Sequence, residues 1–176
     1  AMGEVIRAKI AKAPVTCEVA PHHLWFTDSD YRVNPPIRTK EDRDFLIWAI
    51  ENGYVDAIAT DHAPHTAEDK KNGAPGMVGL ETAFGVCYTI LVKERRLPLT
   101  LLSRLMSAGP AKILGVQKGR LLPGYDADFA LVDENREWVV DAAQFASKGK
   151  NSPFDGVRLQ GKVVRTIKAG KTTWQE

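Results

Sequence analysis

The chain has 176 residues, 44% hydrophobic and 26% charged, and its 24 lysines and arginines against 22 acids leave a formal charge of +2. Such a composition can bury a real core and argues against disorder, while the basic excess is too small and too dispersed for nucleic acid or an acidic membrane surface. No apolar run approaches the roughly 18 residues of a membrane span, and no basic-then-apolar leader opens the sequence, so a soluble cytoplasmic protein is expected. Cys17 and Cys87 lie in unrelated segments and read as reduced thiols.

In chain order, Glu4 to Ala13 reads as a helix and Val15 to Val19 as a short buried strand. Pro21-His22-His23 follows, and on an extended segment adjacent side chains point opposite ways, so at most one of the two histidines can face a site. Thr39-Lys40-Glu41-Asp42 opens a helix with a hydroxyl N-cap and an acid three residues on; Phe45, Leu46, Ala49 and Ile50 form its apolar face, and Gly53 stops it. Val55 to Thr60 is the next strand, ending at Asp61. After a glycine-rich loop, Leu80 to Lys93 is helical, and a further helix over Leu99 to Met106 is broken by Gly109-Pro110. Strand and helix alternate as in parallel βα units.

Past Lys118 the helical period is lost. Leu121 to Asp133 reads as a turn feeding a short apolar strand, and Glu137 to Val140, Lys162 to Lys168 and Lys171 to Trp174 read as further strands. Ala169-Gly170 fits a tight hairpin between the last two. Trp25, Phe26, Trp48, Trp138 and Trp174 are read as packing residues.

The chemistry concentrates in Thr60-Asp61-His62-Ala63-Pro64-His65, where an apolar run delivers a carboxylate and two imidazoles at its end, the place where α/β enzymes keep reactive groups. An isolated Asp-His pair is more often a solvated loop than a site. Three neighbouring motifs change that weighting: Cys17-Glu18-Val19-Ala20-Pro21-His22-His23-Leu24, Arg32-Val33-Asn34-Pro35-Pro36-Ile37-Arg38, and Gly73-Ala74-Pro75-Gly76-Met77-Val78-Gly79-Leu80-Glu81-Thr82. Taken in this order, the four motifs resemble the type I, zinc-dependent dihydroorotases of the amidohydrolase superfamily, across nearly the whole chain.

The resemblance implies an α/β fold: the C-terminal portion of a (β/α)₈ TIM barrel over residues 1–117, and part of a small composite β-sandwich over 118–176. A complete barrel needs roughly 250 residues. The family's His-x-His, its bridging lysine or aspartate and two further histidine ligands have no counterpart here, since His22, His23, His62 and His65 are the only histidines. The expected activity is reversible hydrolysis of the cyclic amide of (S)-dihydroorotate to N-carbamoyl-L-aspartate in pyrimidine biosynthesis, with two zinc ions sharing a hydroxide.

Carried over residue by residue, the resemblance makes Asp61 a metal ligand and the catalytic proton shuttle, and Asn34, His65, Pro75 and Gly76 substrate-binding positions. Asn34 offers a donor and an acceptor to the edge of a dihydropyrimidine ring, although an Asn before Pro35-Pro36 could equally cap a turn. His65 could donate to the substrate carboxylate or merely bond its own loop, and as a bare dipeptide Pro75-Gly76 is a turn. Glu18 stands where some family members place a carboxylate near an additional metal. The isolated chain is expected to be inactive and to pair with the N-terminal half of the enzyme or a second copy. Two other readings are a non-catalytic subunit supporting aspartate transcarbamoylase and another cyclic amidase, a hydantoinase or allantoinase.

Overall fold

The computed structural model describes residues 1–176. Helix α1 (Met2–Ile10) leads into β1 (Glu18–Val19), α2 (Pro21–Trp25), α3 (Lys40–Glu51), β2 (Ala57–Ile58) and α4 (Ala67–Lys71). Helix α5 (Ala83–Cys87) runs on through π-turns to Glu94, and α6 (Leu99–Ser103) through π-turns into α7 (Gly109–Leu114). Strands β3 (Phe129–Val139), β4 (Arg158–Lys168) and β5 (Lys171–Gln175) complete the chain.

β1 and β2 pair in parallel, Glu18 with Ala57 and Val19 with Ile58, as two neighbouring strands of a βα fold do. The ladder is shorter than the two sequence runs suggest. Val15 is exposed and only Glu18–Val19 of the first run is regular strand, although the Cys17 carbonyl still accepts from Asp56 and Ala57 N–H. Asp56 fastens the strand bases by accepting from the Cys17 N–H at 2.8 Å and from the Lys9 ammonium of α1. Burial alone would raise the Asp56 carboxyl, but these donors hold it below the usual carboxylate range.

Thr39 caps α3 as expected, its hydroxyl accepting from the Asp42 N–H, an arrangement worth about 1 kcal/mol. The buried face is Ile47, Ala49 and Ile50, each isoleucine contributing roughly 1.5–3 kcal/mol. Phe45 departs from the expected face: it lies 41% exposed and stacks on Trp48 at 5.5 Å. Gly109-Pro110 does not break its helix. The Gly109 N–H reaches back five residues to the Arg104 carbonyl, and this widened turn gives the Pro110 ring the room that an α-turn would deny. Glycine is required there because a Cβ would stand 2.3 Å from the Asp56 carbonyl oxygen.

The expected strands at 129–133 and 137–140 are one antiparallel strand, β3, interrupted by bulges, and β4 begins at Arg158, earlier than expected. The Ala169-Gly170 hairpin is present, both residues left-handed at φ 48° and 73°. β4 packs on α5: the Thr89 hydroxyl donates to the Gly85 carbonyl at 2.7 Å and accepts from the Gln160 N–H at 2.9 Å. A single hydrophobic core joins Leu24, Ile47, Ile58 and Leu105 to Val140, Phe154 and Leu159. Trp25 meets the Phe154 ring edge-on at 5.9 Å. No helix is long and apolar enough to cross a membrane. Both cysteines are free, and burial pushes the Cys87 thiol up to about 12.

Candidate active site

Asp61 follows the tip of β2 in a left-handed backbone conformation, φ 51°, which aspartate tolerates better than most residues. The turn leaves its side chain 45% exposed on a cavity of about 780 Å³. Glu18, the first residue of β1, His23 of α2, and Asn34 line the same cavity. Asn34 precedes a cis peptide bond to Pro35 and is exposed. The fold thus brings the strand-tip carboxylate and the amide side chain, 27 positions apart in sequence, onto one opening.

The Pro-His-His segment is helical, not extended, because Pro21 occupies the first turn of α2 where its missing N–H costs nothing. The histidines are nonetheless divided. His23 reaches the Pro35 carbonyl at 2.9 Å through Nε2, which must carry the proton since a carbonyl only accepts. His22 is 1% exposed, neither ring nitrogen has a hydrogen-bond partner, and Nε2 stands 3.7 Å from Asp61 Oδ2. Burial, with a smaller contribution from His23, lowers its pKa to about 4, so the ring is neutral. His62 Nδ1 accepts from the Gly79 N–H at 3.2 Å and thereby serves the loop, not the cavity.

His65, Pro75 and Gly76 form a second group that does not line the cavity. The loop starts with a reciprocal capping box between Thr66 and Asp69 on α4. His65 Nε2 donates to the Pro75 carbonyl at 2.9 Å. The Gly76 N–H donates to the Arg32 carbonyl at 2.9 Å, while the Gly76 carbonyl accepts from Lys70 Nζ at 2.9 Å and Asn151 Nδ2 at 3.2 Å. Only glycine fits: φ is +134°, and a Cβ would lie 2.6 Å from the Ala63 Cβ.

Two residues holding this loop were absent from the sequence reading. Asn151 Oδ1 accepts from the His65 N–H across 86 positions of sequence, and its carbonyl accepts from Val78. Lys70 donates to three carbonyls. Neither stands in a motif, so nothing local in the sequence marked them.

Asp61 is the residue best placed to ligate a cation or accept a proton. No group of three or more histidine, cysteine, aspartate or glutamate side chains is disposed to hold a metal ion. His62 and His65 are turned to their loop and His23 to Pro35. Among the histidines and carboxylates lining the cavity, Asp61 therefore stands without a second cation ligand grouped beside it.

Residues 7–173 match the amidohydrolase family. The chain is 52% identical over 174 residues to a dihydroorotase of Clostridium botulinum (strain Eklund 17B / Type B), and 46% identical over 184 residues to one of Bacillus cereus (strain AH820). These matches take in 98% of the chain but only 44% and 43% of those proteins, so the chain spans less than half the length of the curated relatives it matches. Among solved structures, an L-hydantoinase (dihydropyrimidinase) from Arthrobacter aurescens superposes on 99% of the chain and 42% of its own with a TM-score of 0.93 and 35% identity. A D-hydantoinase from Thermus sp. superposes at 0.92 with 23% identity and shares the fold.

Proposed function

Because this chain belongs to the amidohydrolase family, we propose that it forms part of a dihydroorotase, a cytoplasmic enzyme that reversibly hydrolyses the cyclic amide of (S)-dihydroorotate to N-carbamoyl-L-aspartate in UMP synthesis. Residues 1–117 contribute C-terminal strands and helices of the barrel, and residues 118–176 a segment of the composite β-sandwich. The observation that carries the reading is Asp61, a carboxylate in a strained left-handed turn at a strand tip, on a cavity shared with Asn34, in a sequence about half identical to dihydroorotases.

The family makes a metal cofactor the expectation, and Asp61 would be one ligand of a zinc pair whose other ligands lie outside these 176 residues. A bound zinc pair supplies a hydroxide near neutral pH. The Asp61 carboxylate takes the proton of the attacking water at Oδ and returns it to the departing ring nitrogen. Asn34 pairs with the amide edge of the ring through its donor and its acceptor. His65 Nε2–H is committed to the Pro75 carbonyl, which leaves Nδ1 as the ring nitrogen available to substrate, and Pro75 keeps a second lone pair. Gly76 is buried, with Ala63 where its side chain would stand, and so shapes the loop that presents Pro75.

The chain alone, with a single carboxylate ligand, is expected to be inactive and to bind no stoichiometric zinc. Partners are the substrate and a companion, either the N-terminal half of the same enzyme or a second copy, with aspartate transcarbamoylase as a further candidate. The test is to combine the purified chain with a polypeptide carrying the family's His-x-His half, then measure zinc by atomic emission and dihydroorotate hydrolysis. Activity appearing only in the combination supports the proposal. Hydrolysis of hydantoin but not dihydroorotate would transfer the chain to the hydantoinase reading, which the 35% identity to an L-hydantoinase favours less than 52% to a dihydroorotase.

A further inference from the structure

The ammonium of Lys70 uses all three of its donors on backbone: it reaches the Arg32 carbonyl at 3.2 Å, the Ala74 carbonyl at 2.9 Å and the Gly76 carbonyl at 2.9 Å. It also lies over the Tyr31 ring, 4.5 Å from the centroid. No carboxylate pairs with it. A lysine on an exposed short helix ordinarily keeps its charge in water, and withdrawing it from solvent has a cost, seen here as a pKa lowered by desolvation and by Arg32.

The three carbonyls belong to two segments. Tyr31 and Arg32 lead directly into Asn34, and Ala74 to Gly76 include the Pro75-Gly76 pair. Their only other direct tie among the backbone hydrogen bonds is from the Gly76 N–H to the Arg32 carbonyl. Lys70 is itself anchored, since the capping box fixes the start of α4 one turn earlier.

We propose that Lys70 is a positioning residue for substrate: its ammonium latches the arm that carries Asn34 to the loop that carries Pro75 and Gly76, and so sets the separation of two halves of the substrate-binding surface. The inference rests on the proposed function for the identity of the substrate, but the latch itself is a property of this chain. Lys70 touches no reacting atom; its loss acts through the geometry of Asn34, Pro75 and Gly76 on binding, more than on the proton transfer at Asp61.

Two measurements test it with K70M, which keeps the length and removes the ammonium, and with K70C alkylated by 2-bromoethylamine, which restores one. In the 176-residue chain, hydrogen exchange at the Gly76 amide should accelerate about tenfold or more in K70M, with the amides of α3 unchanged, and return in the alkylated variant. Wild-type chain treated with the same reagent controls for Cys17 and Cys87. In the chain combined with its His-x-His companion, K70M should raise the KM for dihydroorotate about tenfold while kcat stays within about twofold, and the alkylated variant should recover.

Unchanged Gly76 exchange in K70M overturns the latch. Faster exchange with an unchanged KM overturns the positioning role while leaving the proposed function intact. A wild-type combination inactive on dihydroorotate removes the proposed function, and with it this substrate role, and that is read before any variant is made. Should K70M fail to fold, seen as loss of protection in α3 as well, the alkylated K70C decides: recovery of both exchange and KM sustains the proposal, and recovery of exchange alone overturns it.

Discussion

Asp61 and Asn34 face an open cavity and are left with reactive groups unsatisfied, whereas His65, Pro75 and Gly76 sit in a loop whose polar atoms are almost all engaged by Lys70, Asn151 and Arg32. The difference separates two jobs. On the proposed function, a group that must accept a proton or a metal, or pair with a ring edge, has to keep its polar atoms free, at the expense of local stability. A surface that recognises a ligand works by being rigid, and rigidity comes from saturating its own hydrogen bonds first.

Changes at the open group should cost activity, and changes at the saturated loop should cost stability. The largest expected effect is D61N in the assembled enzyme: kcat/KM should fall about 10³-fold or more, since the amide can neither take the proton nor ligate as an anion, while the chain's unfolding midpoint in urea moves little. A kcat/KM within about tenfold of wild type would remove Asp61 from the chemistry.

G76A should show its main effect in stability. A Cβ at φ +134° is strained and meets Ala63, so the chain should lose about 3 kcal/mol in urea unfolding, and full retention of stability would mean that the loop is not the rigid member of the pair.

His22 is buried beneath the open group, its Nε2 3.7 Å from Asp61 Oδ2. Its pKa falls from the ordinary 6.5 of the unfolded chain to about 4 in the fold, so below pH 6.5 the unfolded state binds the proton first. The contribution of the neutral ring is present above pH 6.5 and is lost as pH falls towards 4. Between pH 7 and pH 5 this amounts to about 2 kcal/mol, which H22Q should abolish when both proteins are unfolded in urea at the two pH values. Parallel pH dependence in the two proteins would place the titrating group elsewhere. The smallest effect belongs to N34A, for which KM in the assembled enzyme should rise about tenfold, equivalent to about 1.4 kcal/mol, with no change in the urea midpoint. An unchanged KM would leave Asn34 as a turn former before Pro35.

The sequence was legible wherever a local rule had no competitor. The Thr39 cap, the Ala169-Gly170 hairpin and the short strand that ends before Asp61 each rest on residues within a few positions of one another. It misled where packing or a competing local rule overruled the simplest one. Gly109-Pro110 looks like a helix stop, but packing against the Asp56 carbonyl and a π-turn carry the helix through. Phe45 has the spacing of a core residue, yet Ile47 takes the buried position and Phe45 stacks on Trp48 at the surface. Pro21-His22-His23 suggests an extended segment, but the proline starts a helix there.

By itself, then, the sequence determined the family, the α/β alternation and the carboxylate at the strand tip, because short motifs carry chemistry in residue type and order. Only the tertiary structure decided which residues hold that chemistry in place. Asn151 reaches His65 across 86 positions, Lys70 draws Arg32 to Gly76, and His22 is buried against Asp61. Such contacts arise from how the core closes, and no spacing in the chain encodes them.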